Sequence, residues 1–214
     1  MTVRVTREAL QACRRCDLWR HATQAVPGEG PRHPRIVVVG EQPGDREDLS
    51  GRPFVGPAGA MLDRALEQAG IERADVYVTN AVKHFKFEQR GRLRLHSKPS
   101  PVEIRACNLW LQEELTDLRP GVVLALGATA ARAVLGRTVT VGQARREPRV
   151  LPSGIEARVT VHPSYLLRIR DETDRAREYR GFVADLRAAM QATHDLGYQS
   201  PPRRSKSSTS PSRP

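Results

Sequence analysis

Lysine is nearly missing from this chain. Only Lys83, Lys86, Lys98 and Lys206 stand among 35 Lys plus Arg residues, so its cations are almost all guanidinium groups. Set against 24 Asp plus Glu, they leave a formal net charge of +11. Guanidinium favours phosphate through bidentate hydrogen bonding and weak hydration, an argument about partner class and not fold, with a GC-rich genome that uses Arg as its default cation as the alternative. No apolar run approaches the length of a membrane span. The opening MTVRVTREALQACRRC has no signal-peptide apolar core, so a cytoplasmic protein is expected, nucleoid-associated if bacterial. Cysteine is scarce and odd in number, three in all, which argues against a disulfide framework. The phosphate-binding patterns GxxxxGK[ST] and GxGxxG are absent, and no internal repeat is visible.

The most informative stretch is residues 36–59, IVVVGEQPGDREDLSGRPFVGPAG. Ile36 to Val39 read as a buried strand stopped by Gly40. The turn that follows carries Glu41, Gln42, Asp45, Glu47 and Asp48. Clustered carboxylates would repel a phosphate, so this turn suits an uncharged group such as a base or a sugar. A helix is expected over 58–69, closed by Gly70, and a second strand over 76–79. Residues 83–101 form a basic excursion without periodicity. Ser100, Pro101 and Glu103 then open a helix to about residue 118. A third strand (122–126), a helix (128–135), a turn-rich stretch with a short hairpin (137–155), a fourth strand (159–161) and a last helix (171–190) complete the pattern. A short helix is expected near the start, over 6–18.

Strand and helix alternate, so the expected fold is a three-layer α/β/α sandwich on a central four-stranded parallel sheet. One domain over 1–198 is expected, followed by a disordered basic Ser/Pro/Arg tail over 199–214. Polar clusters sit at three strand ends: Glu41 to Asp48, Asn80 to His84, and His162 to Ser164. Parallel α/β connections bring such ends to one edge of the sheet, so the clusters should converge in a crevice.

Four segments in order, GEQPGDREDLSGRPFVGPAG, VTNAVKHFKF, RGRLRLHSKPS and VHPSYLLR, resemble the uracil-DNA glycosylase superfamily over roughly residues 10–190. The branch they resemble most is the iron–sulfur, UdgX-type enzymes that become covalently linked to DNA after excising uracil. Such an enzyme extrudes a nucleotide and binds its base edge in a snug pocket. The resemblance implies that Phe54 stacks on the flipped ring, while Asn80 donates to O4 and accepts from N3–H. It gives His162 a hydrogen bond to O2, where charge develops as the glycosidic bond breaks. Gln42 and Asp45 would hold the base, and Ser164 would touch a flanking phosphate. In this branch a histidine on a basic loop replaces the attacking water, and His96 matches it, with Glu41 as the activating carboxylate. Leu93 stands where the family loop carries a basic residue. The implied partner is uracil-containing DNA, single strands included, with the protein acting as a monomer and no membrane involved. The alternatives are a hydrolytic enzyme of the same superfamily that releases a free abasic site, and a non-turnover uracil-DNA binding protein.

Cys13 and Cys16 form a CxxC pair, and Cys107 is a third thiol. His84 stands where hydrolytic relatives carry a fourth cysteine. Ligand chemistry alone favours zinc on a Cys3His set. The resemblance implies a [4Fe–4S] cluster on Cys13, Cys16, His84 and Cys107, with zinc as the alternative.

Overall fold

The computed structural model describes residues 5–198, and the expected tail over 199–214 lies outside them. In chain order the elements are α1 (Arg7–Gln11), β1 (Ile36–Gly40), α2 (Asp45–Ser50), α3 (Pro57–Ala69), β2 (Val76–Asn80), β3 (Phe87–Arg90) and β4 (Leu93–His96). Then come α4 (Pro101–Leu118), β5 (Val122–Leu126), α5 (Gly127–Leu135), α6 (Val141–Ala144), β6 (Arg149–Val150), β7 (Glu156–Thr160), α7 (Pro163–Arg168) and α8 (Glu172–Asp195). Four parallel strands in the order β2-β1-β5-β7 make the sheet, and β6 extends it antiparallel at the β7 edge. This is the expected α/β/α sandwich with one added edge strand. The described residues contain no helix long and apolar enough to cross a membrane.

The three layers follow from side-chain alternation along fully buried strands. Ile36, Val38, Val122, Leu124 and Leu126 pack on one face with α3 and α8, through Leu62, Leu66, Phe182 and Leu186. Val37, Val39, Val123 and Ala125 turn to the other face, against Ile104 and Leu111 of α4 and Ala130 of α5. The helix boundaries are local in origin. Pro57 occupies the first turn of α3 and Gly70 ends it in the left-handed region. Ser100, Pro101 and Glu103 form a capping box that starts α4.

β1 is flanked by β2 on one side and β5 on the other, so the strand order reverses there. A reversal of this kind opens a crevice at the C-terminal ends of the strands. Gly40 pairs in register with Asn80, and Leu126 with Thr160, which lines up four strand ends along one edge. The Gly/Pro stretch before β1 covers the outer side of β2, where Glu29 and Val78 exchange backbone hydrogen bonds of 2.9 Å each. That pairing closes an edge that would otherwise be open to other chains.

Four expectations are revised. The first helix ends at Gln11, and residues 17–20 form a separate 3-10 turn. The acidic turn contains a helix, α2, and the basic excursion contains the hairpin β3–β4. The fourth strand begins at Glu156 because its pairing with β5 starts there.

Candidate active site

An open pocket of about 1240 Å³ lies at the strand-order reversal, and Glu41, Phe54, Asn80, His96, His162 and Ser164 all line it. The three polar clusters therefore converge as the alternation of elements implied. The fourth strand end, that of β5, adds a group missed from the sequence. Thr129, in the first turn of α5, donates its hydroxyl to Glu41 Oε2. Its signal was available: Gly127-Ala-Thr129 follows a buried strand in the same way as the other three clusters.

Most carboxylates of the acidic turn are engaged by the protein itself. Glu47 is buried and accepts from Gly44 N (3.0 Å) and Gly56 N (2.6 Å), tying the turn to the start of α3. Asp48 is fully buried and accepts from Thr23 N and from Arg94, while Asp45 accepts from Arg94 Nε at 2.6 Å. Glu41 is left to face the pocket. Burial pushes its pKa up, but hydrogen bonds from His96 and Thr129 and the nearby His96 and His162 outweigh this and hold it below the usual carboxylate range. His96 Nε2 sits 3.2 Å from Glu41 Oε1, with the His96 side chain about half exposed.

His162 precedes α7 and caps it. Its Nδ1 accepts from Ser164 N at 3.1 Å and lies 2.8 Å from Ser164 Oγ. A neutral ring that accepts at Nδ1 carries its proton on Nε2. Burial, with Arg168 and His96 nearby, lowers its pKa to about 4 against the opposing pull of Glu41. The ring is therefore a neutral donor at physiological pH.

Asn80 is buried at the end of β2, and its side chain has no hydrogen-bond partner among the described residues. Its amide is available to a ligand. Gly40 makes room for it: a Cβ there would lie 2.3 Å from Asn80 Oδ1 and 2.8 Å from Phe54 Cζ. Phe54 itself sits at φ +56°, and its ring centroid is 6.4 Å from that of His162. The backbone of Phe54 rests on Gly59, where a Cβ would come within 1.8 Å of its carbonyl oxygen.

Two expected base-binding residues hold the hairpin β3–β4 instead of standing free. Gln42 Nε2 donates to Lys86 O and Ser97 O, each at 3.1 Å, and its Oε1 accepts from Lys86 N. Asp45 joins Asp48 in gripping Arg94. Both Gln42 and Asp45 still line the pocket, but their polar atoms face the hairpin. Arg94, read from the sequence as part of a basic loop, points inward.

The expected cluster on Cys13, Cys16, His84 and Cys107 is corrected. Among the described residues, no group of three or more His, Cys, Asp or Glu side chains is placed to hold a metal ion. Neither [4Fe–4S] nor zinc fits. The thiols serve packing: Cys13 Sγ accepts from the Trp110 indole at 3.3 Å, and Cys107 Sγ accepts from Lys83 N at 3.2 Å. Burial pushes the Cys107 thiol up to about 12, so it stays protonated, and burial lowers the pKa of His84.

Fold and pocket together define an α/β protein with a pocket at a sheet switch point, lined by an aromatic ring, an unpaired amide and a neutral imidazole. The chain belongs to the uracil DNA glycosylase superfamily, whose family model matches residues 27–187. It is 40% identical over 167 residues to the Type-4 uracil-DNA glycosylase of Thermotoga maritima, covering 78% of this chain and 83% of that protein. The Type-4 enzyme of Pyrobaculum aerophilum is 34% identical over 175 residues, with 78% and 86% covered. A Type-5 uracil-DNA glycosylase from the same organism is 32% identical over 176 residues, with 75% and 74% covered.

Proposed function

We propose that this protein excises uracil from DNA and releases a free abasic site by hydrolysis. The unpaired Asn80 amide, opening into the same pocket as Phe54 and His162, carries this reading. Asn80 can donate to uracil O4 and accept from N3–H, a pattern that cytosine cannot satisfy. Phe54 stacks on the extruded ring. As the C1′–N1 bond breaks, its electron pair leaves with the uracil, and His162 Nε2–H donates to O2, where the charge accumulates. Water bonds to C1′, and the ionised Glu41 orients it and takes its proton. Ser164 and Arg168, beside the pocket mouth, suit the flanking phosphates. The similarity to Type-4 enzymes supports uracil excision and favours this hydrolytic course.

The contact between His96 and Glu41 supports a second reading. There the ring nitrogen that Glu41 does not hold bonds to C1′ in place of water, and the protein stays attached to the sugar. One experiment separates the two. The protein is incubated with a single-stranded oligonucleotide containing one uracil, and half the sample is boiled in SDS before electrophoresis. Free uracil with an alkali-labile site and no shifted band supports hydrolysis. A shifted band that is lost in His96→Ser, with uracil release retained, supports the covalent course. No release of uracil in any sample removes both readings. Gel filtration with and without the oligonucleotide tests action as a monomer.

A further inference from the structure

One buried charge pair stands outside the pocket and outside the chemistry above. Lys83 is fully buried and Glu114, on α4, is 3% exposed. Lys83 Nζ lies 2.7 Å from Glu114 Oε2 and 2.6 Å from Thr79 Oγ1, and the Thr79 hydroxyl donates to the same carboxylate oxygen at 2.8 Å. Gly28 N donates to the other oxygen at 3.3 Å. Tyr77 packs beside this group, and burial together with Glu114 raises its pKa so that the phenol stays neutral.

A buried ion pair is a poor device for stability alone, because well-packed apolar residues of similar volume serve as well or better. The position of this one suggests another purpose. Thr79 and Asn80 are the last two residues of β2, and Lys83 lies in the bend over 81–84 that follows. Ala81 N and Val82 N donate to Gly40 O (2.9 Å) and Glu41 O (3.0 Å), so the bend is laced to the turn that bears Glu41. No protein hydrogen bond orients the Asn80 amide among the described residues. Its direction is set by the backbone that holds it.

We propose that Lys83 is a positioning residue: by bridging Thr79 to Glu114 it ties the end of β2 to the bend that follows and aims the Asn80 amide at the base edge. This rests on the uracil-excision reading. Lys83 touches no substrate and acts through Asn80.

The test uses Lys83→Met combined with Glu114→Gln, which removes both charges at nearly constant volume. Circular dichroism and urea unfolding establish that the double variant is folded. Single-turnover excision and inhibition by free uracil then report on base recognition, and binding to the same oligonucleotide without uracil reports on the DNA surface. Excision is expected to slow, and the uracil inhibition constant to rise, by about 10- to 100-fold, the scale of a small misplacement at a reacting site. Affinity for uracil-free DNA is expected to stay unchanged. Adding Asn80→Ala should then cause little further loss, because residues acting through one another are not additive. A folded double variant with wild-type excision and uracil inhibition overturns the proposal, and so do additive losses. If the double variant does not fold, Thr79→Val removes the hydroxyl bridge, keeps the ion pair and is judged by the same readouts. A wild-type protein that releases no uracil counts against the activity itself and not against the role of Lys83.

Discussion

His162 and Glu41 owe their protonation states to opposite perturbations. Burial keeps the imidazole neutral, while donors from His96 and Thr129 keep the carboxylate ionised despite burial. The folded pKa of His162 is about 4 against an ordinary 6.5, so between those values the unfolded chain binds more protons than the folded one. Stability from this group is full above pH 6.5 and is lost as pH falls toward 4. His84, also lowered by burial, acts in the same direction below 6.5. Glu41 loses its contribution only below its ordinary value of 4.5, so from 6.5 to 4.5 the two histidines lower stability on acidification while Asp185, raised from 3.8 by burial, opposes them. Urea unfolding across that interval should show falling stability with acidification, and His162→Asn should flatten the trend. A profile unchanged by the substitution would mean that the ring is not held neutral.

At the scale of elements, the hairpin β3–β4 supplies part of the pocket wall through His96. Arg94 holds it to α2 through Asp45 and the fully buried Asp48, and its guanidinium lies 5.1 Å from the Phe87 ring centroid. Gln42 holds its base. Arg94→Leu leaves Asp48 without its cation and should cost roughly 3 kcal/mol, the scale for breaking a buried pair. Urea unfolding checks the loss, and faster proteolytic cutting within 85–98 checks that the hairpin has come away. Uracil release without that cutting would show that other contacts hold it. The hairpin was illegible in the sequence because its alternation is inverted. Leu93 and Leu95 are exposed, while Arg94 and His96 face the body, so a rule that turns apolar residues inward finds no strand. The buried strands and the capped helices were legible because their signals are local: β-branched runs, Ser100 with Pro101, and Gly70.

Taken whole, the molecule is a strongly cationic body of net charge +11 whose pocket opens at one sheet edge. Binding to DNA should weaken steeply with salt, because each phosphate neutralised releases counterions. Arg203, Arg204, Lys206 and Arg213 of residues 199–214 are already part of that charge. If they contact phosphate, deleting them should flatten the log–log salt dependence by about 0.7 per contact on a single strand. An unchanged slope would assign the affinity to residues 1–198 alone.

Periodicity and strand-end polarity in the sequence determined the sandwich, the edge at which the clusters meet, and the candidates Glu41, Asn80 and His162. These are consequences of neighbours along the chain and of the rule that places parallel strand ends together. Tertiary structure alone decided what each polar group faces. It turned Gln42 and Asp45 toward the hairpin, gave Glu41 its partner Thr129, and removed the expected metal site. A carboxylate, an amide or a thiol has the same letter whether it meets a ligand or a neighbour some tens of residues away, and only packing brings that neighbour within hydrogen-bond reach.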